Sequence, residues 1–121
     1  MWPRSRVIAG GISLLIYALI TLLSSLPARS LPRGIPDVIP HCGEYFLLAF
    51  FLIQASARPA RARSAVAVFF LAAALGLLDE LHQRSVPGRV CSALDLAYDM
   101  AGTLAGLAVY RLLVLAKRRD K

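Results

Sequence analysis

The chain has 121 residues, room for one domain, and it joins a mean hydropathy of +0.64 to a charged fraction of only 17%. That composition is too apolar for an ordinary soluble domain and makes the bilayer the expected solvent. A net charge of +7 would suit nucleic acid only on a soluble fold with a basic face; here the basic residues sit at the ends of apolar segments, so no nucleic-acid partner is expected.

The first apolar segment, residues 7–26, follows Arg4 and Arg6 and ends at Leu26-Pro27-Ala28. It is longer than a usual signal-peptide core and its end is a poor small-x-small cleavage site, so a retained membrane helix is expected, with Trp2 as an interface anchor. The second helix is predicted over residues 41–57. His41, Glu44 and Tyr45 stand there at i, i+3 and i+4 and share one face. Phe46, Phe50 and Phe51 are expected to pack against lipid or neighbouring helices rather than a cofactor.

A third helix is predicted over residues 64–82. Asp79, His82 and Gln83 share a face at its end, with Glu80 beside them, and Pro87-Gly88 then reads as the turn that reverses the chain just before Arg89. The fourth is predicted over residues 94–116. It carries Asp95 and Asp99 as an i,i+4 pair of like charges, which destabilises an isolated helix. Arg89, Arg84, a metal ion, or a proton held on one carboxyl would compensate it. Gly102-x-x-x-Gly106 allows a close helix contact, expected within the bundle and silent on oligomeric state.

Strands are disfavoured because the segments are Leu/Ala-rich without period-two alternation, and an open sheet cannot satisfy its backbone in lipid. The expected fold is therefore all-α: a single-domain (1–121) integral membrane four-helix bundle. Its two middle segments approach spanning length only with their polar ends included.

Ten of the fourteen basic residues lie at the two chain ends or in the link holding Arg58, Arg61 and Arg63. The positive-inside rule then predicts both termini in the cytoplasm. Six of the seven acids, all but Asp120, and both histidines fall at the opposite ends of the helices. Glu44, Asp79 and Asp99 are flush with apolar runs, where a charge is expensive and points into a bundle or wet cavity, so a shared outward polar pocket is expected. A guanidinium at Arg89 suits a carboxylate or phosphate through its planar fork, or else pairs internally with Asp95. Cys42 and Cys91 would both face outward. Free thiols are expected over a bridge, which needs Cα atoms within about 7 Å.

The run Asp79-Glu80-x-His82-Gln83-x-x-x-Pro87-Gly88-Arg89, followed by Asp95-x-x-x-Asp99-x-x-Gly102-x-x-x-Gly106, resembles the signature of the VanZ-like membrane proteins. Pro40-His41-x-x-Glu44-Tyr45-x-x-Leu48 is similar to that family's second-helix pattern. The resemblance spans most of the chain and implies a small multi-pass protein of the bacterial cytoplasmic membrane. It also implies a link to resistance against the glycopeptide antibiotic teicoplanin. Many members carry Asn at the position of Asp99 and others Asp; with Asp99 ionised, this chain's pocket is more acidic than that of the Asn members.

Three functions compete for the polar face. The first is binding or modification of an anionic envelope component, a lipid head group or lipid-linked wall precursor. There His41, Glu44, Asp79 and Glu80 are the candidate catalytic groups, and Gln83, Arg89, Asp95 and Asp99 the candidate ligand-binding groups. The second is a divalent-metal-dependent membrane hydrolase with His41, His82, Asp79 and Asp95 as leading ligands and Glu80 and Asp99 as further oxygen donors. It has no His-Glu-x-x-His pattern to support it. The third is a structural protein whose polar network locks the helices, although intramembrane polar contacts average only about 0.6 kcal/mol each. The chain carries no phosphate-binding glycine loop, nucleophile elbow or redox Cys-x-x-Cys pair, and no cofactor is assigned.

Overall fold

The computed structural model describes residues 3–119, so Trp2, Asp120 and Lys121 lie outside the described residues. It contains four α-helices, α1 (Arg4–Ser24), α2 (Val38–Ala55), α3 (Ala62–Gln83) and α4 (Ala93–Arg119), with a 3-10 turn at Ala28–Ser30 and no strand among the described residues. All four are long and apolar enough to cross a membrane. At about 1.5 Å per residue they run from roughly 27 to 40 Å, against a hydrocarbon core of about 30 Å.

The helix boundaries differ from the sequence expectation by one to three residues, and the reasons are local. α2 starts at Val38 rather than 41 because Pro40 falls in its first turn, where a missing N–H leaves no helical bond unmade. α1 closes at Ser24, before Leu26-Pro27, because the residue preceding a proline is pushed out of the helical region. α4 starts at Ala93 because the Ser92 hydroxyl oxygen accepts the Asp95 N–H at 3.2 Å. It continues through Lys117, Arg118 and Arg119, cations that favour a helix C-terminus.

Within the membrane-spanning helices the usual distribution of residues is turned inside out. Leu14, Phe70 and Leu112 are 75%, 66% and 65% exposed, while Glu80, Asp99 and Thr103 are among the largest side chains fully buried. A water-soluble bundle would place these the other way round. Lipid tails cover the leucines, and the carboxylates must find partners inside.

α2 is the central helix. It packs on all three others, most extensively on α4, whereas α1 and α4 share no direct interface among the described residues. The tight α2–α4 contact comes from Gly102 and Gly106. A Cβ at either would overlap backbone atoms of α2, at Cys42 and Phe46 respectively, so the two backbones meet where α4 has no side chains. This is the intramolecular use expected of the Gly-x-x-x-Gly pair. Ile20, Tyr45, Leu48 and Ala72 form one buried cluster, and Ala49, Ile53 and Val68 a second nearer the other end. Phe50 completes the seam, stacking with Phe46 and meeting Tyr110 edge to face at 6.1 Å.

Both polar links lie at one end of this bundle. The Ala28 N–H donates to the Pro87 carbonyl at 3.3 Å, tying the α1–α2 link to the α3–α4 turn. That turn is type II: Arg89 N–H donates to the Val86 carbonyl at 3.1 Å, with Pro87 at its first central position and Gly88 at φ +77° in the second. Arg58, Arg61 and Arg63 stand in or beside the α2–α3 link at the other end.

Candidate functional site

Two groups of polar side chains lie at the linked end, and α3 supplies a carboxylate to each. Asp79 and Glu80 are neighbours in sequence, so on a helix their side chains point about 100° apart. One turns toward α1 and the other toward α4.

Asp79 is 4% exposed and fully engaged. Its Oδ1 accepts the Ser24 hydroxyl, and its Oδ2 accepts the Gln83 amide at 2.9 Å, an i,i+4 bond along α3. His82 lies nearby on the surface, its Nε2 2.9 Å from the Ser25 hydroxyl. This group fastens the ends of α1 and α3 together, with two adjacent serines of α1 as partners.

The second group lies between α2, α3 and the start of α4. His41 Nδ1 is 2.8 Å from Asp99 Oδ1, and its Nε2 is 3.8 Å from Asp95 Oδ2, so both ring nitrogens face carboxylates one turn apart on α4. The like charges of Asp95 and Asp99 are thus compensated by the imidazole of α2. Glu80, 1% exposed, accepts the Ser92 N–H through Oε2 at 2.7 Å. In an ordinary capping box the acid three residues into the helix reaches back to that N–H. Here Glu80 of α3 takes that role, which leaves the Asp95 carboxylate free to turn toward His41.

One ligand atom from each of His41, Glu80 and Asp95 lies within 4.8 Å of the other two. Donors around a single ion at about 2.0–2.2 Å span at most about 4.4 Å, so a small side-chain rotation brings the three into coordinating range. Asp99 behind His41 is the outer carboxylate that commonly fixes the tautomer of a ligating imidazole and aims its other nitrogen. Glu80 Oε1 is buried with no hydrogen-bond partner in the protein, as are Asp99 Oδ2, Arg89 Nε and the Tyr45 and Thr103 hydroxyls.

The structure divides the sequence-derived candidates. His41, Glu80, Asp95 and Asp99 come together. Asp79 and His82, expected as metal ligands, do not join them: the contacts of both run to α1 through Ser24 and Ser25. Gln83 serves Asp79 rather than an open site. Glu44 is half-buried one turn beyond His41 on the same helix. The internal Arg89–Asp95 pair does not form, and among the described residues the only ion pairs are the two made by His41. Cys42 and Cys91 are free thiols, the first donating to the Tyr98 carbonyl at 3.3 Å and the second exposed.

Ser24, Ser25 and Ser92 are site residues that pattern reading passes over. Ser92 had a signal, a serine three residues before an acid at the head of an apolar run. The other two had none, since a serine pair ending a membrane helix is equally at home facing headgroups.

No curated protein and no solved structure matches the chain significantly. A family model does: VanZ/LLP1 aligns with residues 35–114, more than half of the sequence, covering the start of α2 through most of α4 and with them every member of the His41 group. With four membrane-spanning helices arranged around that matched region, the chain is a multi-pass membrane protein that belongs to the VanZ/LLP1 family.

Proposed function

We propose that the polar end of the bundle is an outward-facing site in the bacterial cytoplasmic membrane that binds, through phosphate, an anionic lipid head group or lipid-linked wall precursor. The carrying observation is Arg89, which makes no ion pair with a carboxylate although six acids share its end of the protein. Its Nε is buried and unpartnered, and it stands three residues before Ser92, the residue that binds Glu80. A planar guanidinium that forms no internal ion pair at a membrane surface suits the two oxygens of a phosphate. The asymmetry of the basic residues supports the orientation, with the Arg58–Arg63 link in the cytoplasm.

A specific observation extends binding toward catalysis. His41, Glu80 and Asp95 offer one nitrogen and two carboxylates, a donor set suited to a divalent ion. An ion bound there would supply Lewis acidity toward a phosphoryl oxygen. Glu80 keeps one oxygen free to take a proton from water, and Arg89 would neutralise charge on the phosphate. Hydrolysis at a lipid phosphate is the reaction class this arrangement fits, with a role in glycopeptide resistance as its physiological expression.

The test pairs phenotype with chemistry. A deletion strain complemented with wild type, Arg89→Gln or Glu80→Gln is compared for teicoplanin resistance and for its profile of lipid-linked phosphates. We expect both variants to behave as the deletion does at normal protein levels. Wild-type behaviour of Arg89→Gln would remove the phosphate reading. If Glu80→Gln alone is silent, only binding survives.

A further inference from the structure

A second site lies at the opposite end of the bundle and uses none of the residues of the polar-end groups. Between α3 and α4 runs a groove of about 390 Å³, lined by buried Ile53 and half-buried Leu107 at its base and by exposed Phe70 and Leu104 on its sides, with Arg61, Arg111 and Arg118 also in its lining. Leu104 to Arg118 along α4 covers roughly 21 Å, rather more than half of the ~30 Å hydrocarbon core. The groove is therefore long enough to run from the bilayer midplane to the surface of one leaflet.

All three arginines are exposed, and none pairs with a carboxylate among the described residues. The described acids all lie toward the other end, so no described acid offsets this positive rim. Elsewhere the lipid-facing surface is apolar with scattered leucines, to which bulk acyl chains are an adequate solvent. Here a recessed, mainly apolar channel opens beside three arginines, larger and more apolar than the neighbouring recess bordered by Arg6 and Lys117.

The geometry points to a binding site for one anionic glycerophospholipid of the leaflet at the basic end, an acyl chain lying between α3 and α4 and its phosphate held by Arg61, Arg111 and Arg118. The lipid would fill the α3–α4 seam over Ile53 of α2. Selectivity lies in the head group, because any acyl chain fits the channel. Each arginine near an anionic head group contributes a factor of about five in affinity.

Native mass spectrometry of the full chain, delipidated in neutral detergent, tests this by titration with phosphatidylglycerol and phosphatidylcholine of identical acyl chains. We expect one retained phosphatidylglycerol, bound at least tenfold more tightly than phosphatidylcholine. The triple variant R61Q/R111Q/R118Q should lose that preference, a drop on the order of 100-fold. Ala108→Trp, which fills the channel without touching charge, should weaken both lipids at least fivefold. Equal binding of the two lipids by wild type, a preference that survives the triple variant, or a second protein copy occupying the groove in place of lipid would each overturn the proposal. Arg89→Gln separates this site from the polar end: the preference should persist, and its loss would assign the bound head group to the other end and sink the inference.

Discussion

His41 Nδ1 lies 2.8 Å from Asp99 Oδ1 across the α2–α4 seam, joining residues 58 positions apart in the chain. As a carboxylate Asp99 can only accept, so Nδ1 carries the proton toward it and Nε2 is left to face Asp95. Asn at this position keeps an oxygen acceptor for that N–H, whereas Ala removes it. We therefore expect Asp99→Asn to fold normally and to retain divalent-ion affinity within about tenfold. Asp99→Ala should lose about 1–3 kcal/mol of stability and 10- to 100-fold of ion affinity. Calorimetric titration with Mn²⁺ or Zn²⁺ and thermal unfolding in detergent read the two effects separately. Identical ion affinity in Asp99→Ala and wild type would show that His41 needs no orienting carboxylate.

Asp79 calls for the opposite expectation. Its two oxygens are occupied by Ser24 and Gln83, so it holds α1 to α3 rather than facing a ligand. Ser24→Ala removes one of the two donors. The expected loss is about 1 kcal/mol, within the range measured for intramembrane hydrogen bonds. Ion affinity at the His41 group should not change. A drop in ion affinity as large as that from Asp99→Ala would mean that the two polar groups act as one.

The division between these groups explains how much of the site could be read from the residues alone. Four helices followed from apolar length, and their common polar end from the charge asymmetry, since both depend only on order along the chain. The i,i+4 spacing put Asp79 beside Gln83, which bonds to it along α3, because helical phase is local. What spacing could not supply was rotation about the helix axis. Asp79 and Glu80 look interchangeable in sequence, yet a 100° step sends one to Ser24 and the other to Ser92. Arg89 was open between a partner and a ligand for the same reason: a turn residue's reach depends on how the helices dock.

Docking itself rests on the backbone contact at Gly102 and Gly106. Any side chain at these positions meets the carbonyls of Cys42 and Phe46, and backbone atoms cannot swing aside as a flexible side chain can. Gly102→Val and Gly106→Val should each destabilise the bundle by about 3 kcal/mol or more, at the upper end of overpacking costs. Gly43→Ala is the matched control, because nothing lies near its added methyl group. Unfolding followed by cysteine accessibility would report the difference. Equal stability of Gly102→Val and Gly43→Ala would show that α2 and α4 do not meet so closely.

Cys91 gives a direct reading of orientation. It is exposed beside the polar links, whereas Cys42, at the same end, is half-buried and hydrogen-bonded to the Tyr98 carbonyl. With the Arg58–Arg63 link in the cytoplasm, Cys91 faces out and a membrane-impermeant maleimide should label it in intact cells, more than tenfold faster than Cys42. The single variants Cys91→Ser and Cys42→Ser assign the signal. A cysteine introduced at exposed Ala60 should stay unlabelled until the membrane is permeabilised, because that link lies at the basic end. The reverse pattern, Ala60→Cys labelled from outside and Cys91 protected, would turn the His41 group toward the cytoplasm and exclude a wall precursor on the outer face as its ligand.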